Sequence, residues 1–278
     1  MKNFPTLKTL GIIGLSLLFA SFMFAAHPYA QESDAEACLG CHEDMGQTFA
    51  KEPHSALNNC VACHGNAEKH LDDGGGAGNI MAFGADDATN AKIGMCLNCH
   101  AKSNSQFLAG PHGKSAMDCT TCHVIHGAHP KPDLLKTGAT KSCLACHEDV
   151  YAMFQLNERH RLQEGILGCT SCHNPHESSV RERLGGFKDQ TCKQCHQDKG
   201  GPFLYEHGAS QIEGCSACHE VHGSPNRHML KNQSGSDLCF SCHTFAPSFH
   251  SRFTSATSNC TVCHSTIHGS NLSKIFLK

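Results

Sequence analysis

The chain has 278 residues, with 22 lysines and arginines against 25 aspartates and glutamates, for a formal charge of −3. That balance excludes a basic surface for nucleic acid. With 6% aromatics and no tryptophan, little is available for a large protein core, yet the chain carries 20 cysteines and 23 histidines.

Residues 1–30 read as a secretory signal peptide. Lys2 and Lys8 form a basic n-region, Leu10 to Ala26 an apolar h-region, and cleavage is expected after Ala30. No twin arginine is present, which favours the general secretory route. An uncleaved membrane anchor is the alternative, disfavoured by the modest apolar length and the small residues at its end. Beyond residue 30 no apolar run approaches the ~20 residues that span a bilayer. Losing Lys2 and Lys8 would take the formal charge from −3 to −5.

Residues 31–278 then hold every cysteine, and each falls in a C-x-x-C-H. In chain order these are Cys38, Cys41 and His42; Cys60, Cys63 and His64; Cys96, Cys99 and His100; Cys119, Cys122 and His123; and Cys143, Cys146 and His147. They continue with Cys169, Cys172 and His173; Cys192, Cys195 and His196; Cys215, Cys218 and His219; Cys239, Cys242 and His243; and Cys260, Cys263 and His264. One such motif could be a zinc knuckle or a thioredoxin-like pair. Ten CxxC pairs all followed by histidine through composition alone have a probability on the order of 10⁻¹¹. The pattern therefore predicts ten covalent c-type haems, each with two thioether cysteines and a proximal histidine. Roughly 25 residues per haem cannot form an ordinary core. The expected fold is a multihaem cytochrome c, mostly irregular coil with short α-helices wrapped around the chain of haems, and elongated.

The motifs fall into five pairs, a tandem two-haem repeat spanning about 38–76, 96–130, 143–177, 192–228 and 239–269. A phenylalanine follows the first motif of each: Phe49, Phe107, Phe154, Phe203 and Phe249. It is expected to pack on a haem face from a short helix; a role as electron relay is the alternative. In the third unit His147, Val150, Phe154 and Arg161 share a face at helical spacing. The stretch DDGGGAGN, 72–79, reads as a surface loop and not a phosphate cradle, since no Lys-Ser/Thr follows it.

Ten further histidines keep step with the motifs: His54, His112, His160, His207 and His250 after the first of each pair, and His70, His126, His176, His222 and His268 after the second. They would be the distal ligands, leaving His129 and His228 over, with His228 the weaker candidate beside His222. His126 cannot share an iron with His123. Three extended residues reach roughly 10 Å, while two imidazoles across one iron hold their Cα atoms about 12 Å apart. His126, and likewise His176, His222 and His268, must reach a neighbouring haem, most simply the first of its own unit. His112 and its equivalents would then serve the second haem of their unit, the opposite assignment staying open. Two histidines leave iron no open position, which suits electron transfer and not catalysis.

CTSCHNPHES in the third unit, CSACHEVHGSPN in the fourth and CTVCHSTIHGSN near the C-terminus, with ten CxxCH in five pairs, make the chain resemble the decahaem cytochromes of the MtrA, DmsE and PioA type. The resemblance covers essentially all of residues 31–278. It implies a periplasmic bis-histidine haem wire inserted into an outer-membrane β-barrel porin. Such a wire would be fed by a quinol-linked cytochrome of the periplasm or inner membrane and would face an outer-surface multihaem cytochrome or reductase. Ten haems at roughly 10 Å each would outreach a bilayer of about 40–45 Å, and crossing would need such a barrel as a sheath. A periplasmic electron shuttle is the second reading. A multihaem enzyme is the third, disfavoured because nitrite reductases of this kind often carry CxxCK and all ten motifs here end in histidine.

Overall fold

The computed structural model describes residues 35–76, 78–126, 132–177, 189–244, 250 and 258–277. The segment 1–30 expected to be a signal peptide, His129 and Phe249 lie outside them.

The recurring element is one helical turn. In nine motifs the histidine N–H donates to the carbonyl of the first cysteine, four residues back, at 2.9–3.1 Å, and the tenth, Cys96–His100, ends the helix Thr89–His100. Residues i, i+3 and i+4 share one helix face, so each turn presents two sulfurs and one imidazole to the same side. First motifs lie in or close behind α-helices (Ala35–Leu39, Thr89–His100, Ala139–Leu144, Gln190–Lys193, Gly235–Phe240). The second motifs of the last four pairs open 3₁₀ turns, such as Cys119–Thr121 and Cys215–Ala217. Three first-motif histidines, His42, His147 and His196, leave helical geometry and start a new short helix. Its first turn is acidic in each case (Glu43 and Asp44, Glu148 and Asp149, Asp198), which complements the helix dipole. Among the described residues no helix is long and apolar enough to cross a membrane.

Tertiary order comes from two antiparallel two-residue ladders. β1 (Glu158–Arg159) pairs with β3 (Gly223–Ser224), and β2 (Tyr205–Glu206) with β4 (Gly269–Ser270). Each joins consecutive motif pairs, and Ser224 and Ser270 are buried in them. The glycines are required by space. A Cβ on Gly223 would run into the Met153 carbonyl, and one on Gly269 into the Phe203 ring.

The helical face expected from His147 to Arg161 is shorter than its periodicity suggests. The helix Glu148–Met153 ends with Phe154 as its C-cap, and Arg159 lies in β1. Ladder hydrogen bonds to Gly223 and Ser224 displace the helical ones.

Five apolar residues are buried among those described: Ala35, Ala67, Ile93, Phe107 and Leu162. Fourteen large apolar side chains are exposed, so polypeptide alone supplies almost no core. In four of the five units the residue three positions ahead of the first-motif cysteine is buried: Ala35, Ile93, Asp189 and Ser236. Ile93, 1% exposed, is the largest of the fully buried side chains. Ile93→Ala is expected to cost about 2–4 kcal/mol, read as a lowered chemical-denaturation midpoint of the haem-loaded protein.

Candidate functional site

Each proximal histidine faces one other imidazole. In the first unit His42 meets His70 at a ring-centroid distance of 6.3 Å, and in the fifth His264 meets His250 at 6.2 Å. The other eight pairs cross between units. His100 meets His54 at 5.9 Å, His147 meets His112 at 6.2 Å, His196 meets His160 at 6.1 Å, and His243 meets His207 at 6.2 Å. His64 meets His126 at 5.7 Å, His123 meets His176 at 5.9 Å, His173 meets His222 at 5.9 Å, and His219 meets His268 at 6.3 Å. An imidazole–metal bond of about 2.0–2.1 Å on either side, plus ~1.1 Å from nitrogen to ring centre, separates trans imidazoles by about 6.2–6.4 Å. Five of the ten spacings fall in that range and the other five lie 0.1–0.5 Å below it, so each facing pair suits one six-coordinate haem iron. Among the described residues no group of three or more His, Cys, Asp or Glu side chains is placed to hold a metal, whereas structural zinc needs four.

All ten histidines taken as distal are thus paired, but eight of them with different partners from those expected. His126, His176, His222 and His268 reach the second motif of the preceding unit, not the first of their own. His54, His112, His160 and His207 reach the first motif of the following unit, not the second of their own. Own-unit pairing holds for His70 and His250 alone. For four of the eight the ladders supply the physical reason: β3 follows His222 directly and β1 immediately precedes His160, so pairing the strands draws each histidine across the boundary. β2 and β4 do the same for His207 and His268. Of the two surplus histidines, His228 acts through its backbone, its carbonyl taking a 2.8 Å hydrogen bond from His219 Nδ1.

That contact is one of a set. His64, His123 and His264 donate Nδ1–H to the carbonyls of Met81 (2.6 Å), Asp133 (2.8 Å) and Ile275 (2.6 Å). His112 and His160 donate to Pro175 (3.2 Å) and Val221 (2.7 Å). Such bonds fix the tautomer, leave Nε2 free for iron and fix the ring plane. The 72–79 stretch joins the set: Gly74 and Gly75, at φ +69° and +95°, turn the chain so that the Gly76 carbonyl meets His70 Nδ1 at 3.2 Å. It is a ligand-orienting loop as well as a surface one.

The phenylalanines pack on distal imidazoles arriving from the next unit: Phe49 on His126, Phe107 on His176 and Phe154 on His222, at 5.3–6.4 Å. Phe203 lies over Gly269, the residue after His268. The repeat spacing had marked these residues; their partner was hidden because it comes from another unit. Burial, and then the facing histidine, hold the imidazoles of His126, His176, His222, His268 and His207 below the ordinary histidine range. They are therefore neutral near pH 7, with a lone pair for iron.

The cysteines order the sites. Within every unit the first cysteines of the two motifs lie side by side: Cys38 by Cys60, Cys96 by Cys119, Cys143 by Cys169, Cys192 by Cys215 and Cys239 by Cys260. Between units, Cys63 is within electrostatic reach of Cys99, Cys122 of Cys146, and Cys218 of Cys242. Neighbours in sequence are thus neighbours in space. An ion pair clamps the second unit: Lys92 Nζ lies 2.7 Å from Asp118 Oδ2, with side chains 11% and 9% exposed. Burial works to raise the Asp118 carboxyl, but its hydrogen bonds from Lys92 and Thr120 prevail and hold it below the usual range. A depressed carboxylate stabilises the fold above its unfolded pKa and loses that contribution as pH falls through its folded pKa. Asp118→Asn should therefore destabilise at pH 7 and abolish the part of the acid transition below about pH 4 that this group causes. Denaturation midpoints against pH, variant beside parent, test this.

Cysteine pairs and histidines placed this way define a multihaem c-type cytochrome, which binds haem covalently and transfers electrons. Residues 60–137, 111–197 and 207–247 match family models described as cytochrome c-type protein NrfB-like, cytochrome c3 and doubled CXXCH motif. The chain is 32% identical to multiheme cytochrome MtrA of Shewanella baltica (strain OS185) across 89% of its own length and 81% of that protein's. It belongs to the MtrA family of multihaem cytochromes. Shorter matches are NrfB of Haemophilus influenzae, 32% identical over 32% of this chain and 43% of that one, and the high-molecular-weight cytochrome c of Nitratidesulfovibrio vulgaris (Hildenborough), 23% over 50% and 25%.

Proposed function

We propose that the chain carries electrons through ten bis-histidine c-type haems in five two-haem units, as the wire of a porin–cytochrome conduit between periplasm and cell surface. The observation that carries this reading is the set of ten facing histidine pairs, eight of them crossing unit boundaries. Ligands shared across every boundary hold successive haems close, as electron tunnelling requires, and leave no iron open to substrate. Among the described residues no helix is long and apolar enough to cross a membrane, so the partner that lets the chain cross is an outer-membrane β-barrel. A quinol-linked cytochrome serves the periplasmic end, and a multihaem cytochrome or reductase the outer one. The chain is exported with residues 1–30 as its signal, resides in the periplasm and associates with the outer membrane.

Two measurements test this. Haem quantitation should give ten haems per chain, with a wholly low-spin ferric EPR spectrum; a substantial high-spin population in intact protein would revive the enzyme reading. Membrane fractionation with haem staining after high-salt washing should leave the band in the outer membrane with a β-barrel protein. A monomer that washes into the periplasmic fraction would make it a shuttle instead.

A further inference from the structure

His54, His112, His160 and His207 occupy one place in their respective units, and each faces the first proximal histidine of the next. For two of them the second contact is the same. His112 Nδ1 donates to Pro175 and His160 Nδ1 to Val221, in each case the carbonyl just before the trailing histidine that arrives alongside. The matching carbonyl for His54 is that of Ile125, before His126. His54 Nδ1 is buried and has no hydrogen-bond partner among the described residues. Its setting differs locally. His54 lies in the 3₁₀ turn Pro53–Leu57, His112 in the α-turn Pro111–Lys114, and His160 directly after β1. Its ring also stands at 70° to that of His100, the widest angle among the ten pairs.

This difference bears on the haem attached at Cys96 and Cys99. An imidazole that donates Nδ1–H to a carbonyl gains electron density at Nε2 and is the stronger donor, which favours ferric iron. An imidazole without that acceptor is the weaker donor, and ferrous iron is relatively favoured. The Lys92–Asp118 ion pair, one turn from Cys96, is internally neutral and does not offset the effect.

We infer that His54 sets an electron-holding step at the third haem of the chain, with a midpoint above those of the haems completed by His112 and His160. With haem bound, one electron would pass from the iron held by His64 and His126, taking it from ferrous to ferric, to the iron held by His100 and His54, taking it from ferric to ferrous. No proton or ligand changes place. Cys63 beside Cys99 makes the two haems neighbours. Electrons entering through the first unit collect at this step before moving on.

The inference rests on the bis-histidine reading, and its test separates the two. In His54→Met, His112→Met and His160→Met, near-infrared magnetic circular dichroism should each time lose about one tenth of the His/His charge-transfer intensity and gain a His/Met band. If none does, the ligand reading itself is wrong. The potential window in which the lost intensity titrates in the parent protein gives the native midpoint of that haem. The window for His54→Met should lie above both others; a window at or below either one overturns the inference. Should His54→Met fail to load haem, ¹⁵N-histidine NMR of the fully reduced parent decides. The Nδ1–H assigned to His54 should lie upfield of those of His112 and His160, and a His54 signal at or downfield of either overturns it.

Discussion

His222→Met is expected to replace one bis-histidine haem by a His/Met haem, and the haem affected is attached at Cys169 and Cys172, one unit upstream of the substitution. The geometry leaves no nearer candidate. His222 faces His173 at 5.9 Å, is braced by Phe154 at 5.4 Å, and is drawn upstream by the ladder that starts at Gly223. The location is checked by a second change. Adding Cys169→Ser and Cys172→Ser should abolish the new charge-transfer band by removing the haem that bears it. Adding Cys192→Ser and Cys195→Ser, which removes the first haem of the fourth unit itself, should leave the band in place. If the band instead disappears with Cys192 and Cys195, ligation is within units and the cross-boundary pairing is wrong. The weaker donor should also raise the potential of the affected haem, since a His/Met pair supports a higher one than His/His.

Gly223→Val should have a wider effect than any single ligand change. The added side chain meets the Met153 carbonyl directly and approaches that of Glu158 within 3.4 Å at its Cβ. The cost is about 1–3 kcal/mol of overpacking, and β1 and β3 separate. That ladder presents two ligands in opposite directions, His160 to His196 and His222 to His173, so two haems lose their distal histidine together. Ferric EPR should show a high-spin signal equivalent to about two haems, where His222→Ala shows about one. Gly223→Ala, with the same Cβ and less bulk, should give an intermediate population. A low-spin spectrum like that of the parent in both glycine variants would mean that the strands do not hold the ligands.

The coupling of two sites through two strand residues also explains why the fold was only partly legible. The turn at each motif follows from local geometry: five consecutive residues with a 1–5 hydrogen bond place both sulfurs and the imidazole on one face, and no distant contact is needed. The helix after His147 was legible in kind but not in length. Its end depends on a ladder with residues some 65 positions on, which outweighs helical periodicity. The glycines of 72–79 were legible as a loop; that Gly76 orients His70 was not, because φ values at Gly74 and Gly75 aim a carbonyl that composition cannot locate.

By itself the sequence determined the cofactor chemistry and the candidate ligands. Covalent attachment and proximal ligation are written in contiguous residues, and a histidine repeated at fixed offsets is visible as a pattern. Only the tertiary structure decided which histidine faces which. A spacing of three residues rules out one iron and leaves every neighbouring one open. Choosing among them takes a backbone that carries His126, His176, His222 and His268 back one unit, and His54, His112, His160 and His207 forward one. That choice rests on two-residue strands, glycines with no room for a Cβ and carbonyls aimed at Nδ1, which are long-range contacts with almost no signature in composition or periodicity.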